Sequence, residues 1–257
     1  MRTFLVCSLL LAVAACRRPS TQFAAMLTPI NQPADYIRYL KSGDELVAVG
    51  NDPEWSLMVN SSKGQIRFKS TAGDSLATAI PERQTDADGV IRYNVPLETG
   101  SLNVVFRPDS CLNTKSGQRY DYRVQVDVRG KNYIGCGVSL QKMALLQDIW
   151  VLTNFQGKTI TASGPRNELP RLEISLTEGR VTGTTGCNRL SGSVRADTRQ
   201  IQFGPMVMTK MACADPVATF ETNFLNALVQ PFSYEVANGK LTLLRNRQPM
   251  MVFKKVD

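Results

Sequence analysis

The stretch Gly186-Cys187-Asn188-Arg189-Leu190-Ser191-Gly192, closed by Met208-Thr209-Lys210-Met211-Ala212-Cys213-Ala214-Asp215, decides the fold of the second half of the chain. Its two cysteines bracket a run that reads as about two β-strands. Asp215-Pro216 follows directly and predicts a helix start, with the aspartate as N-cap and the proline at the first helical position. The stretch therefore predicts strands that lead into one helix.

The predicted helix has a single apolar stripe and is flanked by strands on both sides. Phe220, Phe224, Leu225 and Leu228 recur at helical spacing as far as about Val229. Runs with β-branched or aromatic residues, separated by Gly and Asn turns, predict strands at 171–177, 180–185, 193–196, 200–203, 233–236, 240–245 and 250–254.

The first half of the chain reads as antiparallel β-structure in a small barrel or a strongly bent sheet. Strands are predicted at 45–49, 55–60, 65–70, 89–95, 102–107, 120–129 and 132–137. The clearest, 120–129, alternates polar and apolar residues, which indicates one buried and one solvated face. Gly130-Lys131 is expected to form the hairpin turn after it. Trp55 and Trp150 are expected in the core of the first and second units.

Charge and composition exclude several classes of function. The net charge is +8 and the pI about 9.3, but the basic residues are scattered with no run longer than two. This distribution is typical of a solvated surface, so nucleic acid is not an expected partner. The chain has no histidine, which excludes Ser-His-Asp and Cys-His catalysis and His-ligated zinc. No cofactor and no metal are expected.

The N-terminus predicts secretion and lipid anchoring. A basic start and a short apolar run at 4–15 are typical of a signal peptide and too short to span a bilayer. Val13-Ala14-Ala15-Cys16 resembles a bacterial lipobox, in which the cysteine is lipidated and begins the mature protein. An ordinary signal cut near Ala15, with a chance cysteine, is the alternative.

The predicted location is the bacterial cell envelope. The lipid on Cys16 would attach the protein to a membrane, and Arg17-Arg18 would lie against anionic headgroups. No aspartate follows Cys16, which by analogy with enterobacterial sorting favours the outer membrane, facing the periplasm. The predicted segments are a signal peptide at 1–15, a tether at 16–34, and folded domains at 35–141 and 143–257.

Four cysteines remain once Cys7 leaves with the signal and Cys16 carries lipid. Thiols usually pair beyond the cytoplasmic membrane, and four allow three connectivities. Cys111–Cys136 and Cys187–Cys213 are favoured because each pair stays within one predicted unit. Zinc held by four widely spaced thiolates is the disfavoured alternative.

Two family resemblances follow from these motifs. Gly183-Thr184-Thr185-Gly186-Cys187-Asn188-Arg189, then Ile201-Gln202-Phe203-Gly204 and Thr209-Lys210-Met211-Ala212-Cys213 with a following helix, resemble the META domain, as in the HslJ heat-shock lipoproteins. That resemblance implies a mainly β fold, a mostly antiparallel sheet wrapped around one helix, with an envelope location and a link to stress tolerance. It implies no enzyme chemistry.

The first unit resembles a bacterial lipoprotein domain of unknown activity. Asp52-Pro53-Glu54-Trp55, Cys111 with Ser116-Gly117, and Gly135-Cys136-Gly137 carry the likeness, although this chain departs from the domain's usual motifs at several positions. The fold class expected overall is mainly β, with two compact antiparallel units and at most one helix in each.

The motif residues admit a structural and a functional interpretation. Asn188, Arg189, Thr209 and Lys210 are the candidate binding surface, with turn and cap roles as the structural alternative. Arg189 is expected to pair with a carboxylate such as Glu221.

Three functions are compatible with the sequence. The first is a lipid-anchored, monomeric binding or scaffold protein for envelope stress tolerance, with an envelope protein or a lipid as partner. The second is a carrier of a hydrophobic molecule or lipid, in a pocket lined by adaptable side chains; the candidates are Phe203, Met206, Met208 and Met211. The third is an uncharacterised hydrolase built on Asp52 with Glu54 or Lys115 with Ser116, which adjacent placement on a strand disfavours.

Overall fold

The structure is a computed structural model that describes residues 34–165 and 167–256. The predicted signal peptide and the predicted lipidation residue Cys16 lie outside these residues. The described chain forms eighteen strands and three helices, which are α1 (Ile37–Ser42), α2 (Gln141–Ala144) and α3 (Val217–Leu228). The mainly β fold class is therefore confirmed.

The first sheet has nine antiparallel strands, which are β1 (Leu46–Asn51), β2 (Glu54–Asn60), β3 (Gln65–Ser70), β4 (Ser75–Ala79), β5 (Gln84–Thr85), β6 (Ile91–Pro96), β7 (Ser101–Leu112), β8 (Arg119–Val128) and β9 (Lys131–Ser139). Their order is β4-β3-β2-β1-β9-β8-β7-β6-β5. Residues 80–83 join the two edge strands, and a link of that length spans at most about 18 Å. The sheet is therefore rolled into an open barrel.

The second sheet also has nine antiparallel strands, which are β10 (Ile149–Phe155), β11 (Lys158–Thr159), β12 (Arg171–Ser175), β13 (Arg180–Thr184), β14 (Arg189–Ala196), β15 (Gln200–Met208), β16 (Phe232–Ala237), β17 (Lys240–Arg245) and β18 (Gln248–Lys255). Their order is β11-β10-β12-β13-β14-β15-β16-β17-β18, and β10 also pairs with β18. This extra pairing closes the sheet into a barrel.

The seam between β15 and β16, where the two strands lie side by side, has few paired residues. Only Gln200 pairs with Ser233 and Ile201 with Phe232 there, and α3 lies in the connection between the two strands. Phe224 and Leu228 of α3 are buried against the barrel, whereas Phe220 and Leu225 are partly buried. The apolar stripe predicted for this helix is thus its packing face.

Alternation along β8 sets the inside and the outside of the first barrel. Val124, Val126 and Val128 are buried, whereas Arg123 and Gln125, which alternate with them, are exposed, as the period-2 pattern predicts.

The hairpin after β8 turns one residue earlier than predicted. Arg129 and Gly130, with φ of 53° and 84°, are its central residues, and Lys131 already belongs to β9. A two-residue turn of this kind requires a positive φ at both central positions.

The interiors of both barrels are filled with side chains. Trp55 is 3% exposed and Trp150 is 1% exposed, so both predicted core tryptophans are confirmed. Leu140, Met143 and Leu146, around α2, belong to one buried cluster with residues of both sheets. The described residues form one compact unit, and the proposed division into segments at 35–141 and 143–257 stays a prediction.

No helix of the described ranges is both long and apolar enough to cross a bilayer.

Candidate functional site

The loop between β13 and β14 depends on two glycines. Gly186 has a φ of 97°, in the left-handed region that side chains rarely adopt. Gly183 faces the backbone of Arg171 so closely that a Cβ would overlap its carbonyl oxygen. These two glycines let the chain enter the loop that carries Cys187 and Asn188.

Asn188 is the hydrogen-bonding centre of this loop, and it is only 2% exposed. Its Oδ1 accepts bonds from Thr209 Oγ1 and from the backbone N–H of Met211, both at 2.8 Å. Its Nδ2 donates to Glu221 Oε2 at 2.9 Å and lies 3.3 Å from Cys213 Sγ. Since the amide is saturated with internal partners, Asn188 cannot belong to an exposed binding surface.

Glu221 of α3 does not pair with Arg189, which corrects the predicted ion pair. The carboxylate is 7% exposed and accepts hydrogen bonds from the Thr185 hydroxyl and from Asn188. Arg189, the first residue of β14, is exposed. A buried carboxylate with two donors replaces the expected surface pair.

The structure places the other candidate surface residues beside this centre. Thr209 accepts a bond from the backbone N–H of Arg189 at 3.1 Å, and its backbone N–H donates to the Arg189 carbonyl at 3.0 Å. Thr209 and Lys210 are exposed. The four residues therefore lie together, but what faces solvent is chiefly the side chains of Arg189 and Lys210.

Two cysteine pairs lie at disulfide distance, one within the first sheet and one between connecting segments of the second half. Cys111 pairs with Cys136 across a Cα–Cα distance of 5.5 Å, and Cys187 with Cys213 across 6.4 Å. The first pair links β7 to β9. The second ties the loop before β14 to the segment before α3, beside Asn188.

The four residues considered for a hydrophobic pocket differ in their burial. Phe203 is 2% exposed in the core, with Met206 packed partly buried against that core. Met211 is 45% exposed and lies after the end of β15. Phe203 therefore belongs to the core, whereas Met211 faces solvent, so the four side chains do not share one environment.

A groove of about 860 Å³ lies on the outer face of the first sheet. Its floor consists of outward residues of β1, β2 and β3, among them Ser56, Met58 and Lys69. Helix α1 forms one side, and the loop between β7 and β8 forms the other. Sequence reasoning missed this site because its residues are far apart in the chain.

Two asparagines hold the loop side of the groove in place. The amide of Asn51 donates to Asn113 Oδ1 at 2.9 Å, and the amide of Asn113 donates back to Asn51 Oδ1 at 3.2 Å. Asn113 Oδ1 also accepts from the backbone N–H groups of Lys115 and Ser116. This pairing fixes the loop against the end of β1.

Most charges of the groove are paired. Arg67 donates to both oxygens of Asp44, at 2.8 and 3.1 Å, and Asp44 is 3% exposed. Lys115 Nζ lies 3.5 Å from Glu54 Oε2, with both side chains well exposed. An exposed pair of this kind adds little stability.

The residues considered for catalysis are arranged differently from the sequence expectation. Glu54 pairs with Lys115 and not with Asp52, which is exposed on the turn. The Ser116 hydroxyl accepts from the backbone N–H of Gln118 at 3.3 Å. Neither couple considered from the sequence is brought together for proton transfer.

Two further properties of the described residues bear on chemistry. Burial raises the pKa of Tyr120, at the edge of the groove, above its usual range. Within residues 34–165 and 167–256, no three Cys, Asp or Glu side chains are grouped to hold a metal ion.

Comparison with known proteins finds one family model and two solved structures that are similar to part of the chain. The META domain family model matches residues 143–257. No curated protein matches the chain. One solved structure, an NMR structure of a protein from Burkholderia xenovorans, is 24% identical, with 44% of this chain and 85% of that chain covered and a TM-score of 0.35. A second NMR structure is 22% identical, with 42% and 89% covered and the same TM-score.

Proposed function

Given that residues 143–257 form a META domain, we propose that the protein is a lipid-anchored component of the bacterial cell envelope. In this proposal Cys16 carries the lipid, and the folded part faces the periplasm from the outer membrane. The protein acts there in stress tolerance by binding or scaffolding, without chemical turnover.

The observation that supports the envelope location most directly is the pairing of four cysteines at disulfide distance, Cys111 with Cys136 and Cys187 with Cys213. Disulfides persist in oxidising compartments and are rare in the cytosol. A lipobox-like Val13-Ala14-Ala15-Cys16 at the start of the same chain supports the same compartment independently.

Binding without turnover is supported by what the chain offers chemically. It has no histidine, and the polar groups of the Asn188 centre bond to one another. The groove on the first sheet is open and carries charged side chains, which suits recognition of a charged partner.

The anchor is tested by fractionating cells that express the full chain. Globomycin treatment or Cys16→Ala should release the protein from the membrane, because the lipid would be its attachment. Cys7→Ala, in the predicted signal peptide, is the matched control and should leave membrane retention unchanged. Retention of the Cys16→Ala protein at the level of the wild type would refute the anchor.

The stress role is tested by deleting the gene and challenging cells with heat and with envelope-directed antibiotics. We expect reduced survival, restored by the wild-type protein and not by Cys16→Ala. Unchanged survival under every challenge would contradict the role in stress tolerance.

A further inference from the structure

We propose that the groove on the first sheet binds an anionic saccharide, with Arg38 and Lys69 as the cations that attract its carboxylate or phosphate group. This inference rests on the proposed binding role and names the ligand class. It concerns the first unit, for which the family of the second unit implies nothing.

The groove lies over the middle of a sheet and not at an edge. Its floor is formed by β1, β2 and β3, and each backbone there is already paired, since β2 pairs with β1 and β3 along its whole length. A peptide cannot bind this floor by adding a strand, which requires a free edge. The ligand must therefore be recognised through side chains.

The cations of the groove outnumber its anions. Arg67 is committed to buried Asp44, and Lys115 to Glu54. Arg38 and Lys69 also line the groove, and neither has a carboxylate partner among residues 34–165 and 167–256. Two exposed cations without counter-charges favour an anionic ligand.

Arg38 is held in position for an oxyanion. Its guanidinium lies 4.4 Å from the centre of the Tyr39 ring and donates to the Tyr39 hydroxyl. Stacking of this kind restricts the side chain, while the remaining N–H groups of the planar fork match a carboxylate or phosphate. Lys69, on β3, supplies a mobile second charge.

The rest of the lining favours a saccharide over an apolar molecule. Hydroxyl groups lie along the groove on Ser42, Ser56, Thr71 and Ser116. Those of Ser42 and Thr71 donate to backbone carbonyls and keep an oxygen that can accept, whereas that of Ser116 accepts from the Gln118 N–H and keeps its proton. Met58 adds a half-buried apolar surface on the floor. Hydroxyl groups interspersed with apolar surface complement sugars, which carry hydroxyl groups at their rims and C–H groups on their faces.

The test is isothermal titration of the full chain, solubilised in detergent, with three sugars. N-acetylmuramic acid carries a carboxylate, N-acetylglucosamine 6-phosphate carries a phosphate, and N-acetylglucosamine is neutral. We expect one or both anionic sugars to bind and the neutral sugar to bind at least tenfold more weakly. The anionic sugar that binds more tightly shows whether the groove prefers a carboxylate or a phosphate group on its ligand.

Variants then locate the site. Arg38→Gln and Lys69→Gln should each weaken binding of the anionic sugar roughly tenfold or more, because each removes a charge-assisted hydrogen bond. Lys69→Arg should retain binding. Lys63→Gln is the matched control, since Lys63 is exposed on the turn between β2 and β3 and outside the groove.

The inference is overturned if neither anionic sugar binds, if the neutral sugar binds equally well, or if Lys63→Gln weakens binding as much as Lys69→Gln. Displacement of the sugar by a short acidic peptide of higher affinity would also overturn it. Membrane retention is measured separately, so failure of sugar binding leaves the anchor intact, and failure of the anchor leaves the groove intact.

Discussion

Asn188 and Glu221 are joined by a hydrogen bond of 2.9 Å from the asparagine amide to the carboxylate. The bond connects the loop before β14 to α3. The Cys187–Cys213 link connects that loop to the segment just before the same helix. The helix is thus fixed to the barrel by a covalent and a polar link at the seam where β15 and β16 barely pair.

Replacement of Asn188 should be costly. Asn188→Ala leaves a buried carboxylate oxygen and the Met211 N–H without their partner, so we expect a loss of about 3 kcal/mol in the free energy of unfolding. Urea denaturation measures it. Arg189→Ala, next in the chain but exposed, should change stability by less than about 0.5 kcal/mol. Equal losses of unfolding free energy in the two variants would show that the hydrogen bonds of Asn188 do not stabilise the fold beyond an exposed residue.

The two disulfides should contribute comparably to stability. Their loops span 25 and 26 residues, for which chain entropy predicts about 3 kcal/mol each. Urea unfolding of the Cys111→Ser/Cys136→Ser and Cys187→Ser/Cys213→Ser double variants measures the two losses. Non-reducing peptide mapping of the wild type should recover the same two pairs, and free thiols or crossed pairs would disprove them.

Asp74 should make stability depend on pH in the acid range. A hydrogen bond from the Tyr133 hydroxyl, followed by one from Lys131, lowers the pKa of Asp74. Because the pKa of Asp74 is lower in the folded protein than in the unfolded chain, where it is about 4, the charged carboxylate stabilises the folded protein above that pH. This stabilisation is lost as the pH falls through the folded pKa.

Tyr133→Phe should raise the Asp74 pKa towards its ordinary value, as seen by NMR titration of the carboxyl carbon. The stability difference between pH 7 and pH 3 should shrink in the same variant. Tyr122→Phe is the control, since the Tyr122 hydroxyl makes no hydrogen bond within the described residues. An unchanged Asp74 pKa in Tyr133→Phe would disprove the assignment.

Buried tyrosines should destabilise the protein at alkaline pH. Burial raises the pKa of Tyr234, and nearby Asp197 raises it further. The folded protein favours the neutral form of Tyr234. The stability that this preference provides is fully present below the tyrosine pKa of the unfolded chain, about 10, and is lost as the pH rises above it.

Tyr234→Phe removes the hydrogen bond to the Asp197 carbonyl at 2.7 Å and should cost about 1 kcal/mol at pH 9. The variant should nevertheless lose less stability than the wild type between pH 9 and pH 11. Unfolding measured promptly after a pH jump tests this, with Tyr122→Phe as the control. An identical decline in wild type and Tyr234→Phe would contradict the prediction.

Local pattern predicts most strands but misses four, namely the edge strands β4, β5 and β11, and β10, which is paired on both sides. β3 was predicted at its observed bounds because Ile66 and Phe68 alternate with polar residues. β4 was missed, since an edge strand needs few β-branched residues and buries none of its side chains fully. β7 continues past the predicted end at 107 through a bulge between Pro108 and Cys111, which a period-2 pattern does not reveal.

The candidate site was predicted only in part. The residues around Cys187 and Cys213 were recognised, but the partner of Glu221 was assigned by charge to Arg189. Asn188 is the partner of Glu221 because its amide lies inside the loop. A guanidinium without a compensating charge would be costly to bury there. The groove was not foreseen, since Arg38, Lys69 and Ser116 meet only after the sheet forms.

The sequence by itself determined the β-rich class, the single long helix and the match of residues 143–257 to the META domain family model, because periodicity, turn residues and motif spacing are local properties of the chain. Tertiary structure alone decided which charges pair, why Asn188 is a buried centre and not a surface, and where an open groove remains. Those outcomes depend on contacts between residues far apart in sequence, whose distances no local pattern specifies.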